Sequence, residues 1–245
     1  MKTAVITGAN RGIGLAMVKK FAANGYEIWA CARTESNELV SEMKKMSEAT
    51  GVNITPVYFN VSNEDEIKFG IKKILSEKKN IDVLINNAGM AQGSAFNMTS
   101  IKTMREVYEV NVFAQVKIMQ LISRKMMRQE FGGCIINMCS TGGIKSDPGY
   151  LAYGSSKAAL IWITKMVAKE LGEYKIRVNG IAPSLVDTSM GHYKSAEEME
   201  KYFSSMAFKR FVTPEEVAEA ALYIASDSAS FMTGHILVLD GGRTV

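Results

Sequence analysis

The chain has 245 residues, a formal net charge of +4, 47% apolar residues, three cysteines and two histidines. That length allows one large α/β domain or two small ones, and the apolar share is that of a chain with a real core. Lys and Arg are scattered, with no basic block or aromatic-and-basic stripe, which argues against a nucleic-acid partner; the apolar runs are short and punctuated, which argues against a membrane span.

In chain order, strands and helices alternate. "KTAVIT" reads as the first strand, and residues 13–23 as a helix with Ile13, Met17, Val18 and Phe21 on one face. "YEIWACA" is the second strand, a charged helix covers 36–50, and "NITPVYFNV" is the third strand. A helix over 64–78 carries Ile67, Ile71, Ile74 and Leu75 at helical spacing. "IDVLINNAG" is the fourth strand with its turn, 101–129 a long helix, and "GCIINMCS" the fifth strand. A second long helix covers 151–172, "KIRVNGIAP" is the sixth strand, "PEEVAEAALYIAS" a helix opened by proline, and "HILVLDGG" the last strand.

Runs such as "VLIN" and "CIINM" are apolar on both faces, as buried parallel strands must be. Strict alternation with helical crossovers predicts an α/β fold, a doubly wound, mostly parallel Rossmann-type sheet with helices on both faces. No composition break interrupts it, so residues 1–245 are expected to form a single domain. Ligands of such sheets bind beyond the carboxyl ends of the strands. Gly8, Asn60, Asn86, Ser140 and Pro183 all follow strand-like runs.

The cysteine count argues against a disulfide scaffold and for a reducing, cytoplasmic setting, with Cys31 and Cys134 in the core. "MKTAVITG" leads directly into a strand, so no secretory leader is expected. His192 and His235 stand far apart in sequence, and no metal-ligand cluster is present.

The stretch "TGANRGIG" places Gly8, Gly12 and Gly14 where a strand becomes a helix. Such a turn aims several N–H groups at one point beside the positive end of a helix, and a pyrophosphate can use them if no Cβ intervenes. The same glycines also suit a tight strand–helix junction with no ligand. Further along are "NNAG" at 86–89, Asn111 inside a helix, Ser140 at a strand end, and Tyr153 with Lys157 on one face of a helix start.

Together these stretches resemble the short-chain dehydrogenase/reductase family, over nearly the whole chain from residue 3 to "LDGG". Thr7, Gly8, Gly12 and Gly14 match its T-G-x-x-x-G-x-G signature, Asn86 to Gly89 its N-N-A-G, and Tyr153 and Lys157 its Y-x-x-x-K. Within it, 3-oxoacyl-[acyl-carrier-protein] reductases and NADP-dependent carbonyl reductases are most similar. The resemblance implies reduction of a ketone by hydride from a nicotinamide. Tyr153 would be the general acid, Ser140 would hydrogen-bond the carbonyl oxygen, Lys157 would hold the ribose, and Asn111 would anchor a relay water. A free phenol titrates near pH 10, and the Lys157 ammonium is expected to lower that value.

The resemblance further implies a cofactor site from Gly8, Asn10, Arg11, Gly12, Ile13 and Gly14 through Arg33, Asn60, Val61, Asn87, Ala88 and Gly89 to Tyr153, Lys157, Pro183, Val186 and Thr188. Aligned with the family, Ala32 occupies the acidic position that favours NAD, and Arg33 follows it. With Arg11 as a second cation, NADP(H) is expected; alternatively, Arg33 is a solvated strand-end residue. Asn60 stands where the family often has Asp, and Ser184 where it usually has Gly.

Residues 187–212 are expected to be a poorly regular lid, with Met199, Phe203 and Met206 either facing an apolar substrate or seating the lid. Carrier-protein reductases use Arg at positions held here by Phe131 and Tyr174, with Arg128 and Lys175 nearby. A 3-oxoacyl thioester is the expected substrate. A sugar, steroid or other small ketone is the alternative, and a non-catalytic NADP-binding sensor a third reading that the intact Ser140, Tyr153 and Lys157 disfavour. A homotetramer paired through helices 101–129 and 151–172 and the last strand is implied by the same resemblance.

Overall fold

The computed structural model describes residues 1–77, 79–189, 191 and 195–245. Its strands are β1 (Thr3–Thr7), β2 (Glu27–Ala32), β3 (Ile54–Tyr58), β4 (Val83–Asn86), β5 (Gly133–Met138), β6 (Ile176–Pro183) and β7 (Ile236–Leu239). They form one parallel sheet in the order β3-β2-β1-β4-β5-β6-β7. The helices are α1 (Gly12–Ala23), α2 (Asn37–Thr50), α3 (Glu64–Ser76), α4 (Ile101–Tyr108), α5 (Ala114–Met126), α6 (Leu151–Leu171), α7 (Ala196–Ser204) and α8 (Pro214–Ala225).

Side-chain alternation along the strands builds the two core layers. Ala4, Ile6 and Ile28 pack with Met17 and Phe21 of α1, Met43 of α2 and Val217 and Ile224 of α8. Val5, Leu84 and Ile135 face the other way, onto Ile67 and Ile71 of α3 and Ile118 and Ile122 of α5. Each fully buried Val, Leu, Ile, Met or Phe among them contributes roughly 1.5–3 kcal/mol by leaving water. The doubly wound parallel sheet expected from the sequence is present. Its strand order reverses between β1 and β4, whose carboxyl ends are Thr7 and Asn86. A crevice must open there, because successive crossovers leave in opposite directions.

The elements depart from expectation in three places. The helix expected over 101–129 is interrupted: α4 gives way to a π-helical turn, Glu109–Phe113, before α5. Asn111 lies in that turn, fully buried, and its side chain is drawn out of the helix register by partners on other elements. The stretch 187–212 contains the regular helix α7, started by a capping box between Ser195 and Glu198. The helix expected over 64–78 ends at Ser76. His192 and residues 190, 193 and 194 of the stretch expected to form a lid lie outside the described residues, as does Lys78.

A polar line crosses the core. Asn86 Nδ2 donates to Asn137 Oδ1 at 2.9 Å, Asn137 Nδ2 to Thr164 Oγ1 at 2.9 Å, and Thr164 to the Leu160 carbonyl at 2.7 Å. Asn86, singled out as a strand-end residue, is thus spent on joining β4, β5 and α6. Buried amides that bond one another fix register, because a slip would leave them unpaired.

Candidate functional site

A cavity of about 1470 Å³ runs along the carboxyl ends of the strands, from Arg33 and Asn60 past Gly8 and Gly14 to Ser140, Tyr153 and Thr188. Asn10, Arg11, Ile13, Val61, Asn87, Ala88, Gly89, Lys157, Pro183 and Val186 line it as well. Of the residues expected at the site, Gly12 and Asn111 do not.

The glycine turn has a second reason for its composition. A Cβ on Gly14 would lie 2.0 Å from the Gly8 carbonyl oxygen and 2.7 Å from Asn87 Nδ2. One on Gly8 would meet Asn87 Nδ2 at 2.9 Å, and one on Gly12 the Thr188 methyl at 3.0 Å. Gly8 and Gly12 also sit at φ +65° and +52°, the left-handed region that favours glycine. Contacts within the protein therefore already require all three glycines. Asn87 is the clamp: its amide donates to the carbonyls of Thr7 (3.0 Å) and Gly8 (3.2 Å), while Thr7 Oγ1 accepts from the Asn87 and Ala88 amides.

The start of α1 is nonetheless left open. Ser36, Asn63, Ser100, Ser195 and Thr213 cap the N-termini of α2, α3, α4, α7 and α8 through their side chains. Arg11, before α1, makes no such bond, and the first turn of α1 holds no acid. Unfilled N–H donors at a helix start that faces a cavity form a cradle for an anion. At the end of β2, Arg33 is exposed, and no described residue pairs with it. Asn60 Oδ1 accepts from Ser62 N at 3.0 Å, so part of its acceptor capacity is used locally.

Ser140, Tyr153 and Lys157 meet at the other end. Ser140 ends the run from β5; its Oγ accepts from Gly142 N at 3.1 Å and also hydrogen-bonds the Tyr153 phenol. Tyr153 and Lys157, one helical turn apart on α6, point to the same side. Lys157 is buried, donates to the Met138 carbonyl at 2.7 Å, and holds its ammonium 5.9 Å from the Tyr153 ring centroid.

Here the expected acidification of the phenol fails. Burial pushes the Tyr153 pKa above its ordinary value, opposed only by the Ser140 hydrogen bond. Burial also lowers the Lys157 pKa to about 8, because an ammonium loses its hydration there. Lys157 lies over the ring face, with its hydrogen bond committed elsewhere, and does not acidify the hydroxyl.

Asn111 is near but occupied. Its Nδ2 donates to the Met90 carbonyl (2.9 Å) and Ser156 Oγ (3.0 Å), and its Oδ1 accepts from Met90 N (2.9 Å). A Cβ on Gly89 would lie 3.3 Å from Asn111 Oδ1 and 3.6 Å from Lys157 Nζ, so the three sit together.

Sequence reasoning missed one wall. Thr141, Lys145, Asp147 and Tyr202 all line the cavity near Ser140. Met199, Phe203 and Met206 do not; Phe203 packs edge-on against Phe211 at 5.2 Å, and Met206 is buried. Looking for an apolar stripe on α7 passed over Tyr202, whose polar tip gave the better signal. The thiols Cys31, Cys134 and Cys139 are buried, and burial raises the pKa of each; Cys134 and Cys139 reach about 11. Among the described residues, no group of three metal-ligating side chains is assembled, and no helix is long and apolar enough to cross a membrane.

Comparison with known proteins agrees with this geometry. A family model described as enoyl-(acyl carrier protein) reductase matches residues 8–244. The 3-oxoacyl-[acyl-carrier-protein] reductase of Thermotoga maritima is 34% identical over 244 residues, covering 100% of this chain and 98% of that protein. L-xylulose reductase of Caenorhabditis elegans is 34% identical over 243 residues, 98% of this chain and 95% of that one. The structure of a 7α-hydroxysteroid dehydrogenase complexed with NADH and 7-oxo glycochenodeoxycholic acid superposes with a TM-score of 0.91 at 31% identity, covering 98% and 93% of the two chains. The chain belongs to the short-chain dehydrogenase/reductase family of oxidoreductases.

Proposed function

We propose that this oxidoreductase reduces a ketone to a secondary alcohol with NADPH, and that its substrate is a 3-oxoacyl thioester. The observation that carries the reading is one continuous cavity, with an open helix start and an arginine at one end and Ser140, Tyr153 and Lys157 at the other. The uncapped N-terminus of α1 fits a pyrophosphate. Arg33 and Arg11, neither of them in an ion pair with a described residue, fit a 2′-phosphate better than a bare hydroxyl. Asn60 and Val61 would flank the adenine, Gly89 and Lys157 the second ribose, and Pro183, Val186 and Thr188 the nicotinamide. The bound cofactor would supply the hydride.

The protein's own work is at the carbonyl oxygen. The raised pKa keeps Tyr153 protonated at neutral pH, the state a general acid needs for reduction. The Ser140 hydroxyl, hydrogen-bonded to the Tyr153 phenol, stabilises charge developing on the same oxygen. Lys157, charged below about pH 8, offsets the phenolate left on Tyr153 after proton transfer. The Asn111 side chain positions Met90 and Ser156, so any relay water would bind at its main-chain carbonyl, in the π-turn, where helix hydrogen bonding is rearranged.

The cavity-lining Tyr202 belongs to α7, which supports the reading of 187–212 as a substrate lid within a single domain of residues 1–245. Exposed Phe113, Trp162 and Met166 on the 101–129 and 151–172 segments support pairing of copies into a tetramer. For a small ketone or keto-sugar in place of a carrier-bound thioester, the favouring observation is local. Phe131 is exposed where a carrier-binding cation would stand, and the Lys175 ammonium turns to the Glu130 carbonyl. The test is NADPH oxidation against acetoacetyl thioesters with and without carrier protein, simple ketones and keto-sugars. Turnover confined to thioesters is expected; turnover confined to keto-sugars or simple ketones would replace that substrate, and none with any carbonyl would overturn the reading.

A further inference from the structure

The C-terminal turn holds an arginine that the chemistry above does not use. Arg243 is 4% exposed, although it lies two residues from the chain end. Its Nη2 donates to both oxygens of Asp147 at 2.6 Å, and its guanidinium carbon lies 4.4 Å from the centroid of the Tyr202 ring. Nε and Nη1 are buried without a hydrogen-bond partner among the described residues. A buried cation with two unfilled donors is a poor device for stability alone, since those donors lost water on folding.

Its partners explain the placement. Asp147 and Tyr202 line the cavity at the Ser140 end, whereas Arg243 stands behind them. Asp147 belongs to the loop between β5 and α6, Tyr202 to the lid helix α7 and Arg243 to the terminal turn. The Tyr202 phenol is hydrogen-bonded to the Leu185 main chain and the Thr141 side chain, and Thr141 directly follows Ser140. The turn itself is rigid: Asp240 accepts from Gly242 N, Thr244 N and Thr244 Oγ1, and Lys145 Nζ donates to the Arg243 carbonyl at 3.0 Å. Phe208 N donates to the Gly241 carbonyl at 2.9 Å, fastening the end of the lid segment to the same turn.

We propose that Arg243 is a positioning residue for the ketone: by pairing with Asp147 and stacking on Tyr202 it latches the lid helix and the 144–150 loop into one wall of the substrate end. This rests on the ketone-reductase reading of the cavity. The dinucleotide cradle at Gly8–Gly14 and Arg33 shares no residue with the latch, so the two ends respond separately to its loss. The turn at 240–244 thereby acts on substrate binding without touching substrate.

The test compares wild type with Arg243→Met, Arg243→Lys and Tyr202→Leu. It reads the ketone KM and kcat, NADPH affinity by fluorescence, and hydrogen exchange along the chain. Arg243→Met should raise the ketone KM by about tenfold, the scale of one lost charge-assisted contact, with NADPH affinity unchanged. Exchange should quicken in 195–208 and 144–150 and stay as in wild type in β1 and α1, and Arg243→Lys should restore part of the KM. Tyr202→Leu removes the stack while leaving the ion pair, and carries the test should Arg243→Met fail to fold. An unchanged KM with unchanged exchange in those two segments would overturn the latch. If wild-type protein reduces no ketone, the reductase reading fails, and the exchange pattern alone then decides whether the latch exists.

Discussion

Lys157 lies over the face of the Tyr153 ring, 5.9 Å from its centroid, while its hydrogen bond goes to the Met138 carbonyl at 2.7 Å. The two groups are therefore neighbours whose protonation is set by burial rather than by each other. Lys157 is charged only below about pH 8, and Tyr153 is protonated over the whole neutral range.

A pH profile follows. If the Lys157 charge is needed at the transition state, kcat/KM for ketone reduction should be level around neutrality and fall as pH rises through about 8, where Lys157 loses its proton. Steady-state rates at saturating NADPH and varied ketone would check it. A rate that keeps climbing past that point would show that the charge is not required.

Stability should move the opposite way when the charge is removed. The Lys157 pKa falls from 10.5 to about 8 on folding, so the penalty is complete below about 8 and fades as pH rises toward 10.5. That shift corresponds to about 3 kcal/mol, against about 1 kcal/mol for the hydrogen bond to Met138. Lys157→Met should thus abolish turnover and stabilise the cofactor-free protein by about 1–2 kcal/mol at neutral pH. Urea unfolding would show it, and a large loss of stability would mean that the ammonium is held better than its burial implies.

Two glycine substitutions should differ in sign. Gly14→Ala would put a methyl 2.0 Å from the Gly8 carbonyl oxygen and should destabilise by at least about 3 kcal/mol, weakening NADPH binding with it. At Gly172 a Cβ meets nothing within 4 Å and φ is −61°, so Gly172→Ala should gain about 0.4–1 kcal/mol. Thermal melts of both variants would check the pair; equal effects would mean that the crowding at Gly14 is relieved by movement.

Cofactor choice should rest on Arg33. Arg33→Ala should weaken NADPH binding roughly tenfold to hundredfold, the scale of a lost hydrogen bond to a charged group, and leave NADH nearly unaffected. Fluorescence titration with each dinucleotide would measure this. Equal losses would mean that Arg33 touches something common to both.

How much could be read from the chain follows the range of the interaction. The sheet and most helices were legible, because burial on both faces of β4 and β5 and the 3.6-residue spacing of Ile67, Ile71 and Ile74 are local patterns. The π-turn was not, because Asn111 leaves the helix pattern for partners at Met90 and Ser156 that lie 21 and 45 residues away. The glycine spacing pointed to the turn between β1 and α1, but the clash that excludes a side chain at Gly14 involves the turn's own carbonyl and Asn87. The Asp147–Arg243 pair joins residues 96 apart in sequence and carries no periodic signal. The Lys157 effect on Tyr153 was misjudged because sequence spacing gives proximity but not burial, and burial dominates both groups.

The most direct measurement is NADPH consumption by wild type and Tyr153→Phe with an acetoacetyl thioester, alongside NADPH binding to both. The account predicts that wild type oxidises NADPH, that the variant loses at least about a hundredfold in kcat, the scale of a general acid, and that both bind the dinucleotide equally. A variant that turns over like wild type would contradict it.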